Sequence, residues 1–262
     1  MTTLTYEKPA TLREAADAAT GDAKVLAGGQ TLLAAMRLGM AAPSQLIDLS
    51  AIPELRGIRA DANGVTIGAM TRHAEVASAQ PVLSRIPALA HLAALIGDRQ
   101  VRNMGTLGGS LANDDPAADY PAAVLALNAT ITTSKRALAA DAFFQGLYST
   151  ALEEGEIIVS VTFPVPARAA YEKFRNAASR FAIVGVFVAQ TGGGVRVAVT
   201  GAGKSGVFRA RAIEEALTRE WSAASARGVA IPPGDLMTDL HATAEYRAHL
   251  ISVLAGRAAA AA

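Results

Sequence analysis

Short apolar runs alternate with amphipathic segments over the first 50 residues of the chain. Three of the runs have the length and composition of strands, at 4–6, 24–27 and 45–50. A threonine–glutamate capping box predicts that a first helix begins at Leu12. A second helix is predicted over 30–40, where apolar residues recur at helical spacing: Leu32, Leu33, Met36 and Met40. The opening therefore predicts two strand–helix units.

The middle of the chain begins with a hairpin pattern. Two alternating runs flank Asn63–Gly64, a dipeptide typical of tight β-turns. Helices are predicted over 71–79 and 87–96. Repeated glycine and proline residues indicate that 98–121 is largely loop, followed by a helix that ends near Leu127.

The pattern changes again toward the C-terminus. Strands with one short helix between them are predicted over 129–166. After Pro166, two β-rich runs are joined by the glycines at 192–194, which predicts an antiparallel hairpin, and the remainder is helical. We expect 255–262 to be a frayed tail. The whole pattern predicts an α+β fold built from α/β units, with a separate C-terminal domain of strands backed by helices.

Composition narrows the possible classes of function. Of the 262 residues 51% are apolar and 18% charged, with a net charge of +1, so the chain can fill real cores and lacks the basic tracts of a nucleic-acid-binding protein. The chain has no cysteine, which excludes disulfides, a thiol nucleophile and iron–sulfur ligands. The four histidines lie outside metal-ligand spacings, so no structural metal is expected: His73, His91, His241 and His249.

Targeting and membrane signals are also missing from the pattern. The first 19 residues mix polar and charged side chains, unlike a secretory signal. No apolar stretch approaches the roughly 20 residues that a membrane helix needs. The expectation is a soluble cytoplasmic protein.

Two glycine-rich segments are the candidates for ligand binding. In the first, 26–31, glycines stand between a predicted strand and a predicted helix, where backbone N–H groups can approach an anion and Thr31 adds a hydroxyl donor. The second, 105–110, combines glycines with hydroxyls and is followed by polar residues that suit ribityl or sugar oxygens: Asn113, Asp114, Asp115 and Asp119. Each segment alone could be an ordinary turn or a solvated loop, and neither has the spacing of the dinucleotide fingerprint.

Other motifs do not carry a function. Residues 198–205 differ by one residue from the phosphate-binding loop of nucleotide triphosphatases, but no helix is predicted after Ser205. There is no serine-nucleophile motif. Asp114–Asp115 is as consistent with helix capping as with catalysis, and His73 and His91 fit structural positions better than that of a base.

Together the two glycine segments resemble those of a known family. The chain is similar to the medium, FAD-binding subunit of the carbon monoxide dehydrogenase, xanthine dehydrogenase and aldehyde oxidase group over nearly its whole length. The segments that carry the resemblance are LAGGQTLL (26–33), LIDLSAIPELRGI (46–58), TIGAMTRHAEV (66–76), VRNMGTLGGSLANDDPAADYPAA (101–123), YEKF (171–174) and DLHATAEYRAHL (239–250).

The resemblance implies a fold and a set of FAD-binding residues. The fold is a two-subdomain FAD-binding domain of the PCMH/vanillyl-alcohol-oxidase type at 1–166, divided near 55, followed by a C-terminal domain at 167–262. Asp119 would lie at the polar edge of the cofactor, with Lys173 and Ile158 near the flavin. The other implied cofactor-binding residues are Ala27, Gly28, Gly29, Gln30, Thr31, Leu32, Thr71, Gly105, Thr106, Gly108, Gly109, Ser110 and Asn113. After Lys173 this chain has NAASRFAIV where many relatives carry further charges.

The resemblance also implies a role in electron transfer. Flavins can link one-electron carriers to a two-electron acceptor. In the family, electrons pass from a large molybdopterin subunit through two 2Fe–2S clusters on a small subunit to FAD, and then to an external acceptor. The assembly expected here is a dimer of heterotrimers, with no catalytic residue on this chain. Two alternatives stay open: a self-contained FAD-dependent oxidoreductase and a cofactor-free small-molecule-binding module.

Overall fold

The N-terminal unit of the protein is a small parallel sheet with helices between its strands. The computed structural model describes residues 4–262. The strand order is β1-β3-β2, and both pairings are parallel. The elements are β1 (Thr5–Glu7), α1 (Leu12–Ala18), β2 (Lys24–Leu26), α2 (Leu32–Arg37) and β3 (Gln45–Asp48), followed by two short 3-10 turns at Leu49–Ala51 and Pro53–Leu55. Both predicted strand–helix units are present.

The first helix confirms its capping signal. The Thr11 hydroxyl accepts from the backbone N–H of Glu14, and the Glu14 carboxylate accepts from the N–H of Thr11. This reciprocal arrangement satisfies two N–H groups that have no partner within the helix. In contrast, α2 buries none of its residues and lacks a side-chain cap at Thr31. Its N-terminal backbone groups therefore stay available, which matters for the site below.

The second unit is a five-stranded antiparallel sheet with six helices inserted between its second and third strands in chain order. The strand order is β4-β5-β10-β6-β7. The predicted hairpin is confirmed, because Asp61 pairs with Gly64 across the Asn63 turn. The elements are β4 (Ile58–Asp61), β5 (Gly64–Gly68), α3 (His73–Ser78), α4 (Gln80–Arg85), α5 (Pro87–Ala94), α6 (Arg99–Met104), α7 (Leu107–Asn113), α8 (Tyr120–Ala126), β6 (Thr130–Thr133), β7 (Ala137–Ala139), α9 (Ala140–Phe143), β8 (Phe144–Gly146), β9 (Ser149–Thr150) and β10 (Ile158–Phe163).

The C-terminal unit is a four-stranded antiparallel sheet with three helices. The strand order is β11-β12-β13-β14, and the predicted hairpin pairs Thr191 with Gly194. The elements are β11 (Arg168–Arg175), β12 (Ala182–Thr191), β13 (Gly194–Thr200), β14 (Phe208–Arg209), α10 (Arg211–Arg219), α11 (Ala223–Arg227) and α12 (Ala244–Ala261). Together the three units confirm the α+β fold class. A domain boundary at 166 stays a prediction.

The C-terminal sheet is buried on both faces. On one face Phe187 and Ala198 join the core that contains α8, all of whose residues are buried. On the other face Val186 and Val197 pack into a second core with α12. A strand covered on both sides needs apolar residues at successive positions, which explains the run AIVGVFVA in β12. This packing places β11 beside the helices of the second unit.

The P-loop-like segment lies in a turn between strands. Residues 198–205 begin in β13, and the chain then turns through Gly201, whose N–H donates to Pro116 O at 2.8 Å. No helix follows Ser205, since the next element is β14. The segment therefore lacks the strand-to-helix context of a triphosphate site, as the sequence predicted.

Two sequence predictions about helices are wrong. The stretch 98–121 is not largely loop, because Asp98 caps α6 by accepting from Val101 N and Thr106 caps α7 by accepting from Gly109 N. The tail at 255–262 is not frayed, since α12 continues through it to Ala261. Ala258 and Ala259 are buried against the C-terminal sheet and its helices. In both places tertiary packing outweighs weak local signals.

A buried carboxylate anchors the start of β10. Glu156, whose side chain is fully enclosed, accepts from Arg136 Nε at 3.1 Å, Thr133 Oγ1 at 2.6 Å and Glu153 N at 2.9 Å. Burial by itself raises the pKa of this carboxyl, but these donors outweigh it and lower the pKa to about 2. The charged form of Glu156 therefore stabilises the fold above the ordinary glutamate pKa.

We expect Glu156→Gln to lower the free energy of unfolding by about 1.5–3 kcal/mol at pH 7, the range for hydrogen bonds to a charged group. A lowered pKa contributes stability that is lost as pH falls from the unfolded value toward about 2. Denaturant unfolding should accordingly show the gap between wild type and variant narrowing as pH is lowered. Glu215→Gln, an exposed site on α10, is the matched control and should change stability little. A gap that is constant with pH would contradict this assignment.

Candidate functional site

Three chain segments converge where the first and second units meet. The residues after β5 pair with the residues that begin α7: Leu107 N donates to Thr71 O at 3.1 Å, and Gly108 N donates to Ala69 O at 2.8 Å. In the same strip, His73 N donates to Gly105 O at 3.0 Å. The second glycine segment is thus fixed to the 69–73 segment by backbone hydrogen bonds.

The first glycine segment lies directly against the second. A Cβ atom on Gly28 would overlap Met104 O and would stand 2.8 Å from Gly105 Cα, closer than real Cβ atoms approach other atoms. A Cβ on Gly109 would stand 3.2 Å from the Cβ of Ala27. The structure therefore brings the two predicted segments, which are at least 74 positions apart in sequence, into contact. Glycine is needed at Gly28 because the backbones approach so closely.

The first segment offers free backbone donors. In the part of the chain that the structure describes, the amides of residues 28–32 donate to no backbone or side-chain acceptor. Gly29 takes a left-handed conformation with φ +70°, which turns the chain from β2 into α2. A run of unpaired N–H groups ahead of a helix suits an anion. Within this segment Thr31 and Gln30 are exposed, and Ala27 and Leu32 are half-buried.

The second segment uses its amides differently. Those of Leu107, Gly108 and Gly109 are already bonded, the last to Thr106 Oγ1 at 3.2 Å. What α7 presents to a ligand is therefore hydroxyl and amide side chains rather than backbone N–H groups. Ser110 and Asn113 are half-buried and make no side-chain hydrogen bond within residues 4–262. The free helix N–H groups that the sequence suggested are thus a property of the first segment alone.

Asp119 and Lys173 are brought together in a buried ion pair. Lys173 Nζ lies 2.8 Å from Asp119 Oδ2, with the two side chains 2% and 4% exposed, and it also donates to Leu95 O at 3.3 Å. Tyr171 donates its hydroxyl proton to the other carboxylate oxygen. Burial raises the pKa of Asp119, while the Lys173 ammonium and the Tyr171 hydroxyl oppose that change. The pair joins the segment before α8 to β11.

The other two predicted residues are buried near the glycine segments. Thr71 is fully buried, and its hydroxyl donates to Gly57 O at 3.2 Å, so it contacts the second glycine segment through its backbone carbonyl, which accepts from Leu107 N. Ile158 is 4% exposed at the start of β10 and packs in the core that includes Leu107 and Leu111 of α7. Both residues therefore contact the second glycine segment or α7 from the core side.

Two polar residues near the site were not singled out as ligand-binding from the sequence. His73 and Tyr120 lie with ring centroids 5.3 Å apart, and His73 Nδ1 and the Tyr120 hydroxyl have no hydrogen-bond partner although they are buried. Burial, with a smaller effect from the Arg102 charge, lowers the pKa of His73 to about 4. The sequence feature that could have drawn attention to His73 is its position two residues after Thr71, a predicted cofactor-binding residue.

Asp114 ends α7 as its capping residue, in a left-handed conformation with φ +44°. Its carbonyl accepts from Tyr148 N at 3.2 Å, but its Oδ2 atom is buried without a partner. Burial, assisted by the neighbouring Asp115, raises the pKa of Asp114 to about 7. Asp114 therefore occupies the C-cap position of α7, whereas Asp115 caps no described helix and accepts from Ala117 N at 2.8 Å.

Between residues 4 and 262 no group of three or more histidine and acidic side chains is arranged to hold a metal ion. None of the helices in this range combines the length and the apolar character required to span a bilayer.

The chain is similar in sequence to a family of FAD-binding domains and to subunits of known dehydrogenases and hydroxylases. Residues 2–166 match the family model described as FAD binding domain in molybdopterin dehydrogenase. The chain is 38% identical over 253 residues to the carbon monoxide dehydrogenase medium chain of Hydrogenophaga pseudoflava, covering 90% of this chain and 88% of that one. It is 33% identical over 269 residues to the nicotine 6-hydroxylase medium subunit of Paenarthrobacter nicotinovorans, covering 96% and 94%.

Solved structures show the same architecture. The carbon monoxide dehydrogenase of Hydrogenophaga pseudoflava that lacks the Mo-pyranopterin moiety superposes with a TM-score of 0.87 at 38% identity, over 99% of this chain and 97% of that one. Quinoline 2-oxidoreductase from Pseudomonas putida 86 gives a TM-score of 0.88 at 29% identity, over 99% and 96%. The likeness thus extends over almost the whole chain.

Proposed function

Since this chain belongs to the family of FAD-binding medium subunits of molybdenum hydroxylases, we propose that it accepts electrons from 2Fe–2S clusters on a partner subunit and passes them to an external acceptor. The chain is an oxidoreductase subunit whose cofactor is FAD.

The observation that carries the proposal is the cradle formed by the two glycine segments. The unpaired amides of residues 28–32 would donate to the pyrophosphate, because several N–H groups acting together bind an anion strongly. The first glycine segment forms one wall of the cradle, and the second segment with α7 forms the opposite wall. Three side chains of the opposite wall would complete the cradle: Thr106, Ser110 and Asn113. Gly28 and Gly109 keep the two walls in contact, and larger residues there would fill the space or separate the walls.

The remaining predicted residues have supporting roles in this proposal. Thr71 and Ile158 support the cradle from the core, and Gly105 and Gly108 allow α7 to pack closely against the 69–73 segment. The buried ion pair of Asp119 with Lys173 lies at the junction with β11, and we place the polar edge of the flavin next to this junction. No side chain of this chain is assigned a proton-transfer step.

Bound FAD supplies the ability to exchange electrons singly or in pairs. These 262 residues contain no cysteine, so none of them can ligate the 2Fe–2S clusters that would deliver the electrons. The partners proposed are a large molybdopterin subunit and a small 2Fe–2S subunit, assembled as a dimer of heterotrimers. The relatives named as medium chains or medium subunits support this division of labour.

We expect the purified chain to take up FAD in a one-to-one ratio and to show flavin absorbance. The FAD-loaded chain alone should not be reduced by carbon monoxide, aldehydes, purines or N-heterocycles, because the proposal places their oxidation on the molybdopterin subunit. Adding the two partner subunits with the correct substrate should bleach the flavin. Chemical reduction with dithionite is the positive control for the flavin itself.

Each alternative predicts a different result in the same experiment. Direct reduction of the isolated FAD-loaded chain by an organic substrate would support a self-contained oxidoreductase and contradict the electron-relay role. Absence of flavin uptake, with the protein folded by circular dichroism, would support a cofactor-free binding module.

A further inference from the structure

His73 is fixed against the second glycine segment by both its backbone and its ring. Its N–H donates to Gly105 O at 3.0 Å. A Cβ atom on Gly105 would stand 2.5 Å from His73 Nε2, so the imidazole edge occupies the space directly beside the Gly105 backbone. The same Gly105 backbone borders Gly28, which places the ring at the contact between the two walls of the cradle.

The two ring nitrogens of His73 have different surroundings. The residue is 5% exposed, and Nδ1 is fully enclosed without a hydrogen-bond partner, close to Tyr120. Nε2 has no partner within the described chain either, but it is not fully enclosed. A polar side chain that is buried to this extent normally has its hydrogen bonds satisfied. The Nε2 atom of His73 is an exception, and it lies beside Gly105, where a ligand can supply an acceptor.

The protonation state of His73 suits a neutral donor. Burial lowers its pKa to about 4, so the imidazole is uncharged at neutral pH and carries one N–H group. The enclosed Nδ1 atom has no acceptor for a proton, whereas Nε2 is not fully enclosed and lies beside the Gly105 backbone. Placing the proton on Nε2 leaves the Nδ1 lone pair facing the interior, which avoids burying an unsatisfied N–H donor.

We propose that His73 is a cofactor-binding residue whose Nε2–H group donates a hydrogen bond to a pyrophosphate oxygen of bound FAD. The inference rests on the proposed function and adds a donor from a third segment to the two glycine segments. It also accounts for an imidazole that is buried without a hydrogen bond from its ring: the acceptor arrives with the cofactor.

Two substitutions separate hydrogen bonding from packing. His73→Phe keeps a planar ring and removes the donor, and His73→Gln keeps an amide N–H donor and removes the ring. Fluorescence titration should show FAD affinity reduced about tenfold to a hundredfold in His73→Phe, and within about threefold of wild type in His73→Gln. Equal affinity in wild type and His73→Phe would overturn the inference.

A measurement on the wild-type protein does not depend on how the variants fold. The ¹⁵N resonance of His73 Nε2 should shift when FAD is added and should not shift with riboflavin, which contains the flavin ring but no pyrophosphate. No shift with FAD, or the same shift with both, would refute the hydrogen bond. If wild type binds FAD and only the His73 results fail, the proposed function stands without this contact. If wild type binds no FAD, both proposals fail.

Discussion

Gly28→Ala should reduce FAD affinity by at least about a hundredfold. The new methyl group would overlap Met104 O and press on Gly105 Cα, both backbone atoms that cannot rotate away. The two walls of the cradle must separate for the alanine to fit, and the amides of residues 28–32 then lose their alignment with the second segment. Loss of two hydrogen bonds to a charged group corresponds to about 3–6 kcal/mol, which is more than a hundredfold in affinity.

The measurement is a titration of apo-protein with FAD, accompanied by thermal unfolding of the apo form. Gly192→Ala is the matched control, because a Cβ at this position in the β12–β13 hairpin meets no atom within 4 Å and its φ angle is not positive. The control should bind FAD as wild type does. Near-normal FAD affinity in Gly28→Ala would show that the contact between the two walls is not needed for binding, and the cradle would have to be reassigned.

The local elements around the site were largely predictable from the sequence. The capping box before α1, the Asn63–Gly64 turn and the glycines between β2 and α2 are determined by neighbours a few residues away, and each has a structural counterpart. Local signals of this kind describe how the backbone turns. They do not reveal what the turn contacts, because that depends on distant residues.

The pairing of the two glycine segments came from the resemblance and not from local pattern. Either segment alone fits an ordinary turn, and the close approach of Gly28 to Gly105 depends on residues 77 positions apart. The helix α7 was not predicted because the contact that favours it is also with a distant segment. Its two glycines weaken a helical pattern, but a Cβ on Gly108 would stand 2.5 Å from the Cβ of Ala69, so close packing requires glycine there.

Hydrogen bonding at the site was the least predictable feature. The amides of Leu107 and Gly108 donate to carbonyls of the 69–71 segment, and no local pattern in 105–110 indicates these partners. The ion pair between Asp119 and Lys173 joins residues 54 positions apart, and no spacing rule connects them. Such contacts depend on how the helices of the second unit pack against the C-terminal sheet.

Lys173→Met should lower the free energy of unfolding by about 3–5 kcal/mol at pH 7.5, the cost of leaving a buried charge without its partner. Lys173 and Asp119 are both almost completely buried, so water cannot replace the ammonium group. Arg13→Met is the control, since the Arg13–Asp17 pair is 92% and 75% exposed and should contribute less than about 1 kcal/mol. The measurement is denaturant unfolding of the three proteins under identical conditions.

The destabilisation by Lys173→Met should depend on pH with a definite sign. Burial raises the pKa of Asp119 and the Lys173 ammonium opposes the rise, so the substitution raises that pKa further. A carboxyl whose pKa is raised in the folded state stabilises the fold when protonated, and that stability is lost as pH rises through the folded pKa. The deficit of Lys173→Met should therefore be smaller at pH 5 than at pH 8. Adding Asp119→Asn removes the unpaired charge and should recover much of the lost free energy of unfolding at pH 8. Equal deficits at pH 5 and pH 8, with no recovery in the double variant, would show that lost packing alone accounts for the effect.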